Sequence, residues 1–336
     1  MQFDEKEKFD ATGFRDQLLQ GLLDCGPDLD AISKYLDGAG GSKLDYRRYG
    51  ETLFDVLIAG GIIGASGVTP GDGGKLAPAC VFATENNMEA LRAQEQLFLK
   101  VTRRFKYLEK MFDEEIRKVY TYMKQFSKDE RVKLARMTGL WICNGSLNPS
   151  VLAVIAVEHL VKDNIALDFI LEVFVTWKQE KGIANVVSSL KKSGLETKMM
   201  EFFPMNKRTH EHFQTAFQDQ DLGELVRLQK AQASQEVKKD LQKSVSDALA
   251  EAKPAKDIIN EVKEFSQKHN LVEHEVVAIV YYLLMFTADV LSEDVIMKWY
   301  KDSHAAKGKS VFLEQMKKFI EWLQNAEEES ESGEEN

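Results

Sequence analysis

Apolar residues return every three or four positions along most of this chain, a pattern that is typical of amphipathic α-helices. In residues 89–126, six of them fall on one stripe: Leu97, Val101, Phe105, Leu108, Phe112 and Ile116. Arg103, Lys106 and Glu114 lie away from that stripe. The pattern therefore predicts an amphipathic helix that is either long or broken once.

Short polar segments separate further helical patterns. Residues 44–63 have the helical rhythm and run into residues 64–78, whose Gly, Pro and Ser content predicts a mobile loop. Shorter breaks lie at 143–150, 192–198 and 202–209. Because no stretch sustains a strict alternation of apolar and polar residues, a β-sheet is not expected. The predicted fold class is all-α.

Many helices joined by short loops, without a heptad seam, fit stacked antiparallel hairpins of the HEAT kind. Residues 219–254 are polar and rich in charge, which predicts a solvated helix that connects two domains. Leu228, Leu241 and Leu249 do not keep a spacing of seven, so this segment does not predict a leucine zipper. The predicted divisions are a helical domain at 1–220, a second helical domain at 221–326 and an acidic tail at 327–336.

Negative charge is concentrated at the C-terminal end. The 336 residues carry a net charge of −10, and the last ten residues contain six glutamates and no basic residue. This distribution argues against a chain that wraps nucleic acid along its whole length, and favours a partner with a basic segment. On composition alone, a disordered tail that only aids solubility is the commoner explanation.

Catalytic and metal-binding signatures are weak. Three dispersed cysteines without a CxxC pair predict neither a disulfide framework nor a zinc site, and they suit a reducing compartment. The glycine-rich segments at 60–64, 71–76 and 307–310 fail the tests for dinucleotide or P-loop sites. His210 and His212, two positions apart, predict a surface pair. We expect no enzyme, cofactor or metal.

The N-terminus is charged where a signal peptide would be apolar, and the longest apolar stretches are short for a membrane span. A cytoplasmic protein that makes no membrane contact is therefore expected.

A basic and aromatic segment offers an alternative function. Arg103, Arg104 and Lys106 surround Phe105 and Tyr107, a composition that some proteins use to hold single-stranded nucleic acid. On a helix, however, the aromatic residues would point inward and the cations would face water. A solvated face is therefore the simpler interpretation, and an RNA contact remains open.

The segment at 45–49 is interpreted in the same way. Its cations Arg47 and Arg48 are expected on a solvated face, with neighbouring acids as candidate partners.

Two segments near the end combine acidic and aromatic residues. In residues 287–303, Ser292 is a candidate helix N-cap, and the acids that follow it suit the helix dipole. In residues 310–336, Phe312, Met316, Phe319, Ile320 and Leu323 form one apolar stripe. This stripe predicts a final helix that docks onto the preceding ones. Glutamates at a helix C-terminus oppose the dipole, so their placement there favours a role in binding over one in helix stability.

These two segments resemble the acidic and aromatic boxes of the W2 domain. Further segments, "DEKEKF", "LDYRRYGETLFD", "RRFKYLEKMF" and residues 289–332, resemble the basic leucine zipper and W2 domain proteins, also called initiation factor five mimic proteins. The resemblance implies HEAT-like helices, an N-terminal region similar to the middle domain of factor four G, and a C-terminal W2 domain. It also implies a regulator that competes with factor five and restrains initiation at non-AUG or poor start sites.

The resemblance further implies partners and contact residues. The partners are the lysine-rich segment of the beta subunit of initiation factor two, and initiation factor three. The implied contacts are Asp289, Glu293, Asp294, Trp299, Tyr300, Glu321, Trp322, Glu327, Glu328 and Glu329. The two tryptophans could equally be core residues. An RNA-binding scaffold and a nuclear transcriptional coactivator remain as alternatives.

One departure from the family pattern lies inside the W2 region. The segment 274–284 is similar to an early W2 helix, yet it joins almost directly to residues 285–294, which belong near the end of the domain. We therefore expect that one to two helical repeats of about 40–47 residues are missing from the middle of this domain.

Overall fold

The structure is a computed structural model that describes residues 10–64, 67–68, 77 and 79–287. The described residues are almost entirely helical, which confirms the all-α prediction. The helices of the first part are α1 Ala11–Cys25, α2 Leu29–Ser42, α3 Tyr46–Ala59, α4 Met88–Arg104, α5 Leu108–Thr121, α6 Lys128–Cys143, α7 Glu158–Val161, α8 Ile165–Lys181, α9 Ile183–Ser193 and α10 His210–Gln218. The later helices are α11 Gly223–Ala250, α12 Ala255–His269 and α13 Glu273–Thr287.

Short 3-10 segments connect several of these helices. They span Val81–Ala83, Met123–Gln125, Pro149–Ile155, Leu195–Phe202 and Met205–Lys207. A two-residue antiparallel pair, β1 Ile63–Gly64 with β2 Gly67–Val68, follows α3. Two residues are too few to show an alternation of apolar and polar positions, so this pair could not be predicted from the pattern.

Side-chain caps set the start of many helices. The carboxylates of Asp10, Asp28 and Asp45 accept hydrogen bonds from backbone N–H groups in the first turns of α1, α2 and α3. At α6, Ser127 and Glu130 form a capping box in which each side chain accepts from the other residue's backbone. These caps satisfy N–H groups that have no partner within the helix, and each typically contributes about 1 kcal/mol.

The predicted stripe at residues 89–126 is confirmed, and the helix is broken once. α4 ends at Arg104, α5 begins at Leu108, and the stripe continues across the break. Five of its six side chains are buried, and Phe105, in the break, is half-buried. A single buried face can therefore pass from one helix to the next although the backbone bends.

The chain divides into two compact units, and the boundary between them in the sequence lies between Gln232 and Ala233. In the first unit, α1 to α10 pack as helical hairpins around one continuous core. The helices α6 and α8 pack against each other extensively, and Gly139 faces Thr176 and the carbonyl of Val173 there. The absence of a side chain at Gly139 permits this contact between the two helices.

The helix α11 corrects one sequence interpretation. A solvated helix was expected over residues 219–254, and a helix is found. However, Leu225 and Leu228 near its start are buried in the core of the first unit, and Leu241 and Val245 are buried in the second unit. The helix thus has one buried side near each end, and only its middle, residues 231–240, includes no buried side chain.

Candidate partner-binding surfaces

The predicted contact residues lie outside the part of the chain that the structure describes. They are Asp289, Glu293, Asp294, Trp299, Tyr300, Glu321, Trp322, Glu327, Glu328 and Glu329. Their roles therefore stay predictions. The described residues nevertheless carry three features that bear on function: a basic corner, buried ionisable groups and an apolar face in the second unit.

The basic corner lies where α4 gives way to α5. Arg103 and Lys106 are exposed there. Arg104, also exposed, places Nε 2.8 Å from Oδ1 of Asp37 on α2. One turn earlier, Lys100 lies 3.6 Å from Asp30. The cations face water, as expected for a solvated helix face, and two of the four have a nearby acid that reduces the local positive potential.

Aromatic rings organise the same corner. The guanidinium carbon of Arg47 lies 4.4 Å from the centroid of the Tyr107 ring, within the range of a cation–π interaction. Arg47 therefore contacts an aromatic face rather than the neighbouring acid that was expected. Phe105 packs edge-on against Tyr46, with ring centroids 5.4 Å apart. Phe105 thus packs against the core residue Tyr46, whereas the ring of Tyr107 is in contact with the guanidinium group of Arg47.

Two carboxylates are buried between α3 and α5. Asp55 and Glu115 are 4% and 1% exposed. Burial raises the pKa of each to about 7, and the charge of Glu115 adds to the shift of Asp55. Asp55 Oδ1 accepts a hydrogen bond from the N–H of Ile63, whereas Oε1 of Glu115 has no hydrogen-bond partner among the described residues.

Sequence reasoning missed this pair, although a signal existed. Glu115 follows Phe112 by three residues and precedes Val119 by four, so helical spacing places it within the buried stripe. Asp55 lies in the run 53–59, all of which is buried. An acidic residue in the middle of an apolar helical stripe is therefore a signal for a buried carboxyl group.

Lys133 is a third buried ionisable residue. Its ammonium group donates to the carbonyl oxygens of Phe82 and Thr84, and lies 2.9 Å from Oδ2 of Asp129. These hydrogen bonds connect α6 to the 3-10 segment Val81–Ala83. This is a structural role, because every contact is within the fold.

The cysteines and histidines of the described residues form no reactive cluster. Burial and the charge of Glu180 raise the pKa of Cys143 to about 12, so its thiol stays protonated at neutral pH. His210 Nδ1 lies 2.9 Å from Oε1 of Gln229, and His212 Nδ1 lies 2.7 Å from the Thr209 hydroxyl. No group of three or more metal-ligating side chains occurs within residues 10–64, 67–68, 77 and 79–287.

The second unit presents apolar side chains to solvent. Val277 and Tyr281, one turn apart on α13, are 59% and 42% exposed, and Val272 just before α13 is 53% exposed. On α12, Ile259 is 53% exposed. The described core of this unit is small, with Leu241, Val245 and Leu283 as its buried residues. Much of the apolar surface of the second unit is therefore not covered by described residues.

Comparison with known proteins identifies the family. A sequence model described as "5MP1/2 HEAT domain" matches residues 2–239, and the W2 model, "eIF4-gamma/eIF5/eIF2-epsilon", matches residues 255–333. This chain belongs to the eIF5-mimic protein family. The family is built on a helical scaffold and is not a known enzyme family.

Full-length relatives agree with this assignment. The protein krasavietz of Drosophila melanogaster is 46% identical, with 99% of this chain and 94% of the relative covered. The human eIF5-mimic protein 2 is 41% identical, with 98% and 94% covered, and the human eIF5-mimic protein 1 is 38% identical, with 99% and 96% covered. No solved structure matches the chain.

The same comparison bears on the shortened W2 region. The alignment with krasavietz extends over 398 positions, whereas this chain has 336 residues, so at least 62 positions (398 less 336) have no counterpart here. One to two HEAT-type repeats of about 40–47 residues would account for such a difference. This agrees with the predicted loss of the middle of the W2 domain. Its location between residues 284 and 294 stays a prediction.

No helix among the described residues is both long enough and apolar enough to cross a membrane.

Proposed function

We propose that this chain is a cytoplasmic regulator of translation initiation that mimics initiation factor five. It binds the lysine-rich segment of the beta subunit of initiation factor two, and it binds initiation factor three. By occupying these surfaces, it competes with factor five and restrains initiation at non-AUG or poor start sites. The chain acts by binding and not by catalysis.

One observation carries the proposal. The W2 match extends from residue 255 to residue 333 and so includes the acidic and aromatic residues at the end of the chain. The relatives that align with nearly the whole chain are named as mimics of eIF5. The six glutamates of residues 327–336 supply the negative charge that a lysine-rich partner requires.

Charge and aromatic contacts have different tasks in this proposal. The carboxylates of Glu327, Glu328 and Glu329 speed the encounter with the lysine-rich segment, and they make the affinity fall as salt rises. The aromatic side chains of Trp299 and Trp322 give the interface its apolar anchors, because tryptophan contributes strongly to binding when it is desolvated. Asp289, Glu293, Asp294, Tyr300 and Glu321 complete the proposed contact set.

A binding measurement tests this function. The purified full chain is titrated with a peptide of the lysine-rich segment, alongside the variant Glu327→Gln/Glu328→Gln/Glu329→Gln. Because an exposed ion pair contributes about 0.5 kcal/mol, the loss of three should weaken binding about tenfold at low salt, and less at high salt.

The matched control also neutralises three exposed acids. Glu201→Gln/Glu211→Gln/Glu264→Gln changes the net charge by the same amount at positions distant in sequence from the tail, and all three residues are exposed. We expect the control to bind within about twofold of the wild type. Equal weakening in both variants would reduce the effect to net charge, and unchanged binding in the tail variant would contradict the proposed contacts.

An RNA-binding scaffold is a second candidate. The observation that favours it is the basic corner, where Arg103 and Lys106 are exposed and Tyr107 carries the Arg47 guanidinium. A ring with a stacked cation and adjacent free charges can bind single-stranded nucleic acid. The nearby acids Asp37 and Asp30 oppose this function, because they neutralise part of the positive charge.

A further inference from the structure

The helix α13 is apolar on two sides. Val276, Ile279, Val280 and Leu283 belong to the small core of the second unit. Val277 and Tyr281 lie elsewhere on the helix and remain largely exposed. A surface helix normally carries polar residues on its outer face, whereas a helix that is apolar all round is normally buried. Its sequence therefore suits α13 to a position with neighbours on both sides.

The predicted loss of repeats from the middle of the W2 region would leave α13 without one of these neighbours. The described helices of this region are α12 and α13, and the alignment with krasavietz has at least 62 positions with no counterpart in this chain. In a stack of helical hairpins, each repeat covers an apolar face of the one before it. When repeats are removed, the last helix before the gap keeps a face that the next repeat would have covered.

The chain itself contains a segment that suits this face. Residues 312–323 carry the predicted apolar stripe of Phe312, Met316, Phe319, Ile320 and Leu323. The W2 match continues through these residues to position 333, so they belong to the same domain as α13. A stripe of this kind also needs a surface on which to be buried.

The connection is long enough for the two to meet. Val277 lies ten residues before the end of α13, about 15 Å along the helix axis. The 24 residues 288–311 can span up to about 80 Å when extended. A tethered segment has an effective concentration of about 1 mM, so it outcompetes a second copy of the chain at micromolar concentrations.

We propose that the apolar stripe of residues 312–323 packs against Val277 and Tyr281 of α13 in the same chain. The C-terminal segment then covers the exposed apolar face of α13. The acidic tail consequently emerges beside α13. This inference concerns the folding of the unit and stands independently of the partner proposed above.

A cysteine cross-link tests the contact in the full chain. In a background with Cys25→Ser and Cys143→Ser, where Cys80 is fully buried, Val277→Cys is combined with Met316→Cys. With about 1 µM protein and a mild oxidant, we expect a monomer-sized cross-linked species to form about tenfold faster than in the control. The control pairs Met316→Cys with Lys263→Cys, at an exposed position on α12.

Two results would overturn the proposal. Equal cross-linking rates in the two pairs would mean that the segment has no preferred contact with α13. A cross-linked dimer in place of the monomer would assign the apolar face to a second copy of the chain.

Hydrogen exchange provides a readout without introduced cysteines. The variant Phe319→Ser/Leu323→Ser removes two residues of the stripe, and we expect the backbone amides of residues 276–283 to exchange about tenfold faster. Lys318→Ser is the control, because it lies off the stripe. Unchanged exchange in the core helices of the first unit would show that the substitutions leave that unit folded and that their effect is local. With those helices unchanged, unaltered exchange in α13 would refute the contact.

Discussion

The N–H group of Ile63 donates a hydrogen bond to Oδ1 of Asp55 across 3.2 Å, which ties β1 to α3. Asp55 is buried next to a second buried carboxyl group, that of Glu115 on α5. The charged groups that act on this pair are Glu51 on α3, Lys118 on α5 and Arg15 on α1. Burial outweighs the two cations, so the pKa of each carboxyl group rises to about 7.

This arrangement predicts that the first unit loses stability as the pH rises from about 4 to about 7. The folded state holds protons that the unfolded state, with ordinary carboxyl pKa values near 4, has already released. The stability is fully present below the unfolded pKa and is lost as the pH passes through the folded pKa. Each of the two carboxyl groups should contribute about 2.5 kcal/mol, so the free energy of unfolding, measured by urea denaturation, should fall by about 5 kcal/mol between pH 5 and pH 8.

Substitution of Glu115 should reduce this pH dependence. Glu115→Gln cannot ionise, so its urea midpoint should differ less between pH 5 and pH 8 than that of the wild type. Glu109→Gln, at an exposed position on the same helix, should keep the wild-type slope. If Glu115→Gln also kept that slope, Glu115 would be ionised in the folded protein at both pH values.

Lys133→Met should destabilise the first unit by about 3 kcal/mol, because it leaves the carbonyl groups of Phe82 and Thr84 without their donor. Lys128→Met is the matched control, since Lys128 is exposed on the same helix. The free energies of unfolding of both variants are compared with that of the wild type. A cost below about 0.5 kcal/mol for Lys133→Met would mean that water replaces the ammonium group.

Gly139→Ala should destabilise the packing of α6 against α8. A Cβ atom at this position would lie 3.0 Å from Cβ of Thr176 and 3.2 Å from the carbonyl oxygen of Val173, neither of which can move freely. We expect a cost of about 1–3 kcal/mol. The opposite sign is expected for Gly38→Ala on α2, where the added methyl group meets nothing within 4 Å and the helix gains about 0.5–1 kcal/mol. Thermal unfolding of the two variants should therefore shift in opposite directions.

The RNA-binding alternative makes its own prediction. If the basic corner binds RNA, Arg103→Gln/Arg104→Gln/Lys106→Gln should weaken the binding of a single-stranded RNA by at least about tenfold in a gel-shift assay. Deleting residues 327–336 should leave such binding intact. Lys191→Gln/Lys192→Gln/Lys198→Gln, at exposed positions elsewhere, is the control. RNA affinity that responds equally to both triple variants would indicate non-specific charge attraction.

Helical periodicity by itself determined most of the local structure. The stripe through Leu97, Val101 and Leu108 predicted the buried side of α4 and α5, and the polar breaks fell between helices. Periodicity works here because each helix buries one face, so that a spacing of three or four residues maps onto a single side. Short motifs such as "LDYRRYGETLFD" and "RRFKYLEKMF" also predicted the family, which the matches to the HEAT and W2 models confirm.

Only the tertiary structure decided where individual polar groups lie. The sequence does not say that Lys133 reaches the carbonyl of Phe82, 51 residues earlier, or that Arg47 lies over Tyr107. Such contacts depend on which helices become neighbours, and this is set by the packing of the whole unit rather than by local spacing. The pKa of Glu115 follows from the same cause, since burial by α3 and α5 together removes its water.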